Sequence, residues 1–264
     1  MDLLLKGKRA LVTGASSGIG WACARELAAE GVAVTLNGRE LIRLTQAVER
    51  IQAELPGAHV DGVVADLSTA IGCQKLIDAA GDIDILINNL GIFEPKPFES
   101  ISDDDWFRFF EVNVMSGVRL ARSYLAPMKA RDWGRVVFIS SESGVCPPAE
   151  MVHYGMSKSA QLSVSRGLAE TCAGTGVTVN AVLPGPTRTE GVGDFFAKLA
   201  ADAGQTLAEA EQAFFTHARP TSLLKRFIEP QEVAAMVAYV CSARSSATNG
   251  AALRVEGGIV RSLT

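Results

Sequence analysis

The sequence predicts an α/β fold, a doubly wound three-layer sandwich around a seven-stranded parallel sheet, on three observations. Short β-branched runs alternate with longer helical patterns from the first residues onward. The first run ends in a glycine-rich turn that leads straight into a helix. Finally, 264 residues that are 48% hydrophobic and 20% charged suit one large core rather than two small ones. A single domain over residues 1–264 is expected.

The strands are placed at Arg9 to Thr13, Ala33 to Asn37, Val60 to Ala65, Ile85 to Asn88, Val136 to Ser140, Val177 to Leu183 and Ala252 to Val255. Helical patterns run from Ile19 to Glu30, Leu41 to Leu55, Ile71 to Ala80, Asp104 to Ala130, Tyr154 to Thr171 and Pro230 to Ala243. Pro230 suits a first helical position, where its missing N–H costs little. Right-handed crossovers then put helices on both faces of the sheet. Residues 185–229 break this rhythm: they open on PGPTRTEG and continue through an amphipathic stretch with Phe195, Phe196, Phe214 and Phe215. An insertion of that length is more often functional than idle, so it is expected to form a substrate lid rather than a packed surface excursion.

Composition excludes several classes. The net charge is −4, and Lys and Arg are scattered singly, leaving no electrostatic footprint for nucleic acid or acidic lipid. The longest apolar stretch, Trp21 to Leu36, is interrupted by Arg25, Glu26 and Glu30, which argues against a membrane span. Met1 to Lys8 has no small-residue cleavage site, so a cytoplasmic setting is expected. The cysteines are odd in number and lack a Cys-x-x-Cys pair, and the histidines lack ligand spacing, so neither a disulfide framework nor a metal is expected. Small-molecule chemistry is the remaining expectation.

The turn after the first strand reads TGASSGIG, Thr13 to Gly20. Gly14 permits the tight turn, Gly18 lets backbone approach a pyrophosphate, and Gly20 lets the helix pack closely on the sheet, while N–H groups at the helix start face the phosphates. Strand before and helix after give the motif its meaning. Gly14-Ala15-Ser16-Ser17-Gly18 also matches the G-x-S-x-G elbow of α/β-hydrolases, with Ser16 as nucleophile. That reading lacks an HGGG-like oxyanion segment and leaves a second motif unexplained.

The second motif is Tyr154-Gly-Met-Ser-Lys158, whose Tyr and Lys share one helix face. For tyrosine to exchange a proton near neutral pH its pKa of about 10 must fall by roughly 3 units, or about 4 kcal/mol. An ammonium about 4 Å away at an effective dielectric near 20 supplies on the order of 4 kcal/mol, against which burial works. Ser141 precedes Tyr154 by thirteen residues, at the carboxyl end of a strand, where ligands bind in open α/β sheets.

With TGASSGIG, NNLG (Asn88 to Gly91), Ser141, Tyr154 and Lys158 in order, the whole chain resembles the short-chain dehydrogenase/reductase family. Its Rossmann-like fold and hydride transfer between NADP(H) or NAD(H) and a carbonyl or alcohol substrate are what the resemblance implies. Tyr154 would be the acid/base, and Lys158 would lower its pKa and hold the nicotinamide ribose. Ser141 would donate to the substrate oxygen, with Ser140 and Ser143 as the neighbours mistakable for it. Asn113 would hold a relay water. Cofactor contacts would come from Gly14, Ser16, Ser17, Gly18, Ile19, Gly20, Asp66, Leu67, Asn89, Gly91, Tyr154, Lys158, Pro184, Gly185, Thr187 and Thr189. The chain departs from the family pattern at Leu90, usually alanine, which could shift backbone near the cofactor, and at Glu256, usually aspartate. His153 is expected on an exposed flank. A homotetramer or homodimer is implied, joined through the helices at 104–130 and 154–171 and the last strand. A 3-oxoacyl-thioester reductase shares every motif named, and a catalytically silent nucleotide-binding scaffold would have no need of them.

Cofactor preference is read from the turn after the second strand. An acidic residue there binds the ribose 2′-hydroxyl of NAD, whereas an arginine accommodates the 2′-phosphate of NADP. Here that position is Gly38, followed by Arg39, with Ser16 as a further donor, so NADP is expected. Ser17 stands where many NADP-dependent relatives carry a second arginine, and Glu40 partly offsets Arg39.

Overall fold

Seven parallel strands form one sheet in the order β3-β2-β1-β4-β5-β6-β7: β1 (Arg9–Val12), β2 (Ala33–Gly38), β3 (Val60–Val64), β4 (Ile85–Asn88), β5 (Gly134–Ile139), β6 (Val177–Pro184) and β7 (Ala252–Val255). This is a computed structural model; it describes residues 1–263, and the side chains of residues 194, 195, 199, 202 and 203 lie outside the described residues, that of Phe195 among them. All seven predicted strands are present within a residue or two of the expected bounds.

The strands are apolar on both faces because helices cover both. Successive side chains point to opposite sides. In β1, Ala10 and Val12 join a core with Leu27, Ile51 and Val237, whereas Leu11 joins a second core with Leu120, Tyr124 and Phe138. The first core lies beneath α1 (Gly18–Ala29), α2 (Leu41–Glu54) and α9 (Pro230–Cys241), the second beneath α3 (Ala70–Ala80), α5 (Ser116–Ala130) and α6 (Val152–Thr171). Each fully buried Leu or Phe contributes roughly 1.5–3 kcal/mol of transfer free energy. Pro230 stands at the first turn of α9, as expected.

The expected helix from Asp104 to Ala130 is not continuous. It comprises α4 (Asp103–Phe110), a wide π-type turn over Glu111–Met115, and α5. Ser102 starts α4 with a reciprocal cap to Asp105, which satisfies N–H groups the helix itself leaves free. The wide turn inserts a residue into the helical ladder, a distortion that often accompanies function, and it carries Asn113.

Residues 185–229 contain α7 (Glu190–Ala203), α8 (Leu207–Ala213) and a second wide turn, Phe214–Ala218. Their apolar face makes a small core of its own, in which Phe227 meets Phe196 at 4.9 Å and Phe215 at 5.2 Å between ring centroids. A bridge between Thr187 and Ile228 ties the two ends of the segment together. Chain order reverses between β1 and β4, which opens a crevice at the carboxyl ends of the central strands. Among the described residues, no helix is long and apolar enough to cross a membrane.

Candidate active site

One half of the crevice is a cradle. The Thr13 hydroxyl donates to the Ile87 carbonyl (3.3 Å) and accepts from the N–H groups of Asn89 and Leu90, both at 3.0 Å. The Asn89 amide donates to the carbonyls of Thr13 (2.9 Å) and Gly14 (3.0 Å). The turns after β1 and β4 are thereby clamped together. Asn89, expected near the adenosine ribose, spends its amide protons on this clamp. The Leu90 side chain packs against the second core.

Gly18 starts α1 with φ at +58°, and a Cβ there would approach the Thr189 methyl to 3.1 Å. A Cβ on Gly20 would run into the Gly14 carbonyl and the Asn89 amide, so only glycine lets this helix sit so close. Ser17 precedes the helix and makes no side-chain cap. The first N–H groups of α1 thus lack the partner that a capping side chain would supply. Ser16 lies beside Gly38, and a Cβ at 38 would come within 3.2 Å of the Ser16 hydroxyl oxygen. Arg39 is exposed next to it.

Other expected contacts are placed differently. The Asp66 carboxylate accepts from the Ser68 N–H at 3.0 Å. The Leu67 side chain is buried in the second core, which leaves only its main chain for an adenine contact. Thr189 caps α7, accepting from Val192 N–H at 3.4 Å, and the Thr187 hydroxyl donates to Gly185 O at 2.8 Å. Glu256 accepts from Ile259 and Val260 N–H groups and so closes the C-terminal turn.

The other half of the crevice lies where β5 meets α6. The Ser140 hydroxyl donates to the Lys158 carbonyl at 2.9 Å. Ser141 instead faces the same cavity as Tyr154, and it donates to the Glu142 carboxylate at 2.5 Å while accepting from Ser143 N–H at 3.1 Å. Ser141, Glu142 and Tyr154 open into a cavity of about 480 Å³ whose walls include Phe93, Met151, Phe196, Phe214 and Phe227. Lys158 donates to Ile139 O (2.9 Å) and to the Gln161 side-chain oxygen (3.1 Å).

Electrostatics here are set by burial. Loss of solvent, reinforced by Glu142, pushes the Tyr154 hydroxyl up, against the Ser141 hydrogen bond and Arg219. Burial pushes Lys158 down to about 7, with Glu142 opposing. The Lys158 ammonium lies 5.7 Å from the tyrosine ring centre and donates to Ile139 O and Gln161. Burial likewise raises Glu142, while Ser141 and Arg219 hold it down.

Asn113 sits beside this cluster, held by its side chain to the turn after β4 and to α6. Its amide oxygen accepts from Ile92 N–H (2.8 Å), and its amide donates to Ile92 O (3.0 Å) and Ser157 (2.9 Å). Its main-chain carbonyl accepts from the Gln161 amide at 2.5 Å. His153 is buried rather than on an exposed flank, because α4 covers it: its ring lies 4.0 Å from that of Phe109. Sequence reasoning passed over Glu142, Gln161 and Arg219. The carboxylate beside Ser141 and the glutamine one turn after Lys158 are legible signals, whereas Arg219 lies 77 positions from Glu142 (142 to 219) and leaves none.

A cleft that offers an anion cradle on one side and a proton-carrying hydroxyl on the other serves a nucleotide-dependent oxidoreductase, and this is the class the fold and site define. The comparisons agree: the short chain dehydrogenase model matches residues 8–200. The chain belongs to the short-chain dehydrogenase/reductase family. It is 50% identical, over the full length of both chains, to the uncharacterized oxidoreductase YvaG of Bacillus subtilis. It is 33% identical to the 3-oxoacyl-[acyl-carrier-protein] reductase FabG of Aquifex aeolicus over 98% of this chain and 100% of the other. Among solved structures, L-sorbose reductase from Gluconobacter frateurii, complexed with NADPH and L-sorbose, superimposes with a TM-score of 0.93 at 31% identity, covering all of both chains.

Proposed function

We propose that the enzyme interconverts a carbonyl and an alcohol using NADP(H), with Tyr154 as acid/base. The observation that carries this reading is the convergence of Ser141 and Tyr154 on one apolar cavity, with Lys158 one helical turn beyond Tyr154 on the same helix. The residues present fit a dinucleotide: the cradle has space that a Cβ at Gly18 or Gly20 would fill, and α1 begins without a side-chain cap. Gly14, Ser16, Ile19, Gly91, Pro184 and Gly185 border the same cleft in this reading. Once bound, the nicotinamide supplies or accepts the hydride.

The chain's own residues handle the oxygen and its proton. In the reductive direction the Ser141 hydroxyl donates a hydrogen bond to the substrate oxygen, which orients the carbonyl. The Tyr154 hydroxyl then gives up its proton to that oxygen, and Lys158 stabilises the phenolate left behind. The aromatic walls exclude water and suit a substrate with an apolar body. Residues 185–229 supply part of those walls, as a lid would. The same chemistry on a 3-oxoacyl thioester is the second reading, favoured by the apolar cavity and the Aquifex relative. A hydrolase is disfavoured, because Ser16 lies against Gly38 while His153 packs on Phe109. A homotetramer or homodimer through α4–α6 is supported by Phe107 and Phe110, exposed on α4.

NADP is preferred on the strength of Arg39 and the side chain missing at Gly38, and the sorbose reductase relative binds NADPH. Both parts are tested by titrating NADPH and NADH into the wild type and Arg39→Ala, then following NADPH consumption with a panel of ketones, aldehydes and oxoacyl thioesters. Losing a bidentate charge-assisted contact is expected to weaken NADPH binding roughly 10- to 100-fold and leave NADH nearly unchanged. Equal or tighter NADH binding by the wild type would defeat the preference. No consumption of NADPH with any member of the panel would count against the reductase reading.

A further inference from the structure

Glu142 is a carboxylate almost lost from solvent, with its side chain 8% exposed, in a place where negative charge is unwelcome. Its oxygen accepts the Ser141 hydroxyl proton at 2.5 Å. In the proposed reaction that same proton must point at the substrate oxygen, which gains electron density during reduction. A bare carboxylate hydrogen-bonded to that hydroxyl opposes this, both by holding Ser141 and by Coulomb repulsion. Its charge is also felt at Tyr154 and Lys158.

A guanidinium stands beside it. Arg219 follows the wide turn of residues 214–218, is itself only 12% exposed at its side chain, and stands 3.8 Å from Glu142 and 3.0 Å from Glu150. The guanidinium lies over the Phe214 ring at 5.5 Å, which fixes it to the aromatic core of the 185–229 segment. The groups bearing on Glu142 are thus Arg219 from that segment, Glu150 beyond it, Ser141 beside it, and Tyr154 and Lys158 from α6.

We propose that Glu142 and Arg219 are positioning residues: Arg219 neutralises the buried carboxylate, so that the Ser141 hydroxyl can leave Glu142 for the substrate oxygen when residues 185–229 are packed over the site. The proposal rests on the reductase reading of the previous subsection. It makes catalytic competence depend on the packing of that segment without any of its residues touching the reacting atoms. Nothing is oxidised, reduced or cleaved in this step; one hydrogen bond is exchanged for another.

Charge deletion separates this role from a merely structural one. Arg219→Gln, Glu142→Gln and the double variant are compared with wild type in the NADPH-linked reduction of 2,3-butanedione across pH, with Arg219→Lys as the charge-retaining control. Exposing the carboxylate by Arg219→Gln is expected to lower kcat roughly 10- to 100-fold and to move the basic limb of the profile to higher pH, since tyrosine ionises later beside an unpaired anion. Removing Glu142 as well is expected to restore kcat to within about threefold of wild type and return the limb, as removing both charges leaves neither unpaired. Arg219→Lys should stay close to wild type. In parallel, NMR of carbon-13-labelled glutamate, with Glu142→Gln assigning the resonance, should show the Glu142 pKa rising in Arg219→Gln. A double variant as impaired as Arg219→Gln, or a Glu142 resonance indifferent to Arg219, overturns the proposal. Failure of wild type with this diketone and with the whole carbonyl panel overturns the reductase reading instead, and the proposal falls with it.

Discussion

Tyr154→Phe is expected to lower turnover roughly 10³-fold or more, within the range that a single proton-transferring group commands, while NADPH binding changes by less than about threefold because little volume is lost. The expectation follows from where the hydroxyl lies: it is the one polar atom of the ring, the ring lines the cavity that Ser141 also lines, and burial pushes its pKa up. A rigid ring also flanks the site, with Phe93 at 6.5 Å from Tyr154 in an edge-on arrangement. Phenylalanine keeps that packing. Stopped-flow measurement of single turnovers, with cofactor affinity followed by fluorescence, isolates the proton step; a variant retaining most of its rate would remove Tyr154 from the mechanism.

Lys158→Met carries the second large effect, on activity and on stability in opposite senses. Loss of the ammonium is expected to cost roughly 10²-fold or more in turnover and to weaken cofactor binding, since the resemblance gives this side chain the nicotinamide ribose as well. The stability effect comes from burial. Lys158 falls from its ordinary 10.5 to about 7 in the fold. The folded state therefore binds fewer protons at this site than the unfolded chain between those two values, and stability rises with pH across that window. Below pH 7 the wild type bears the full cost of a charged, desolvated lysine. Between pH 7 and 10.5 that cost is relieved, so wild type should gain on Lys158→Met by on the order of 5 kcal/mol across that whole window. The raised pKa values of Cys23, Cys241 and Tyr124 act in the opposite sense at high pH, but equally in both proteins. Urea melts of the two at pH 6, 8 and 10 give the difference, and a gap that does not change with pH would show that Lys158 stays charged.

The strands were legible because both faces of the sheet are covered, so every strand is an apolar run between polar turns. The break between α4 and α5 was not. Residues 104–130 keep a helical apolar period through Leu120, Tyr124 and Met128, with Phe109 about three turns before Leu120, and one extra residue in the ladder leaves no mark in residue type. His153 misled for a related reason: beside a reactive tyrosine it reads as a flank residue, and only the packing of α4 across α6 buries it. The proposed catalytic trio showed in the spacing of Ser141, Tyr154 and Lys158 because two of them share one helix face. Glu142 and Arg219 come from distant parts of the chain, and long-range pairing of that kind has no local period to betray it.

The aromatic cluster of residues 185–229 has a consequence for how the molecule moves. Phe196, Phe214, Phe215 and Phe227 pack mainly on one another, while the Thr187–Ile228 bridge closes the segment at its base. A loop with its own core melts as a unit, at less cost than unfolding the sheet beneath it. Amide hydrogen exchange should therefore find α7 and α8 opening together, well before β4, β5 and β6 give up their protons. Evolution can also rework such a unit piecemeal, altering which molecules enter while the sheet beneath keeps its register.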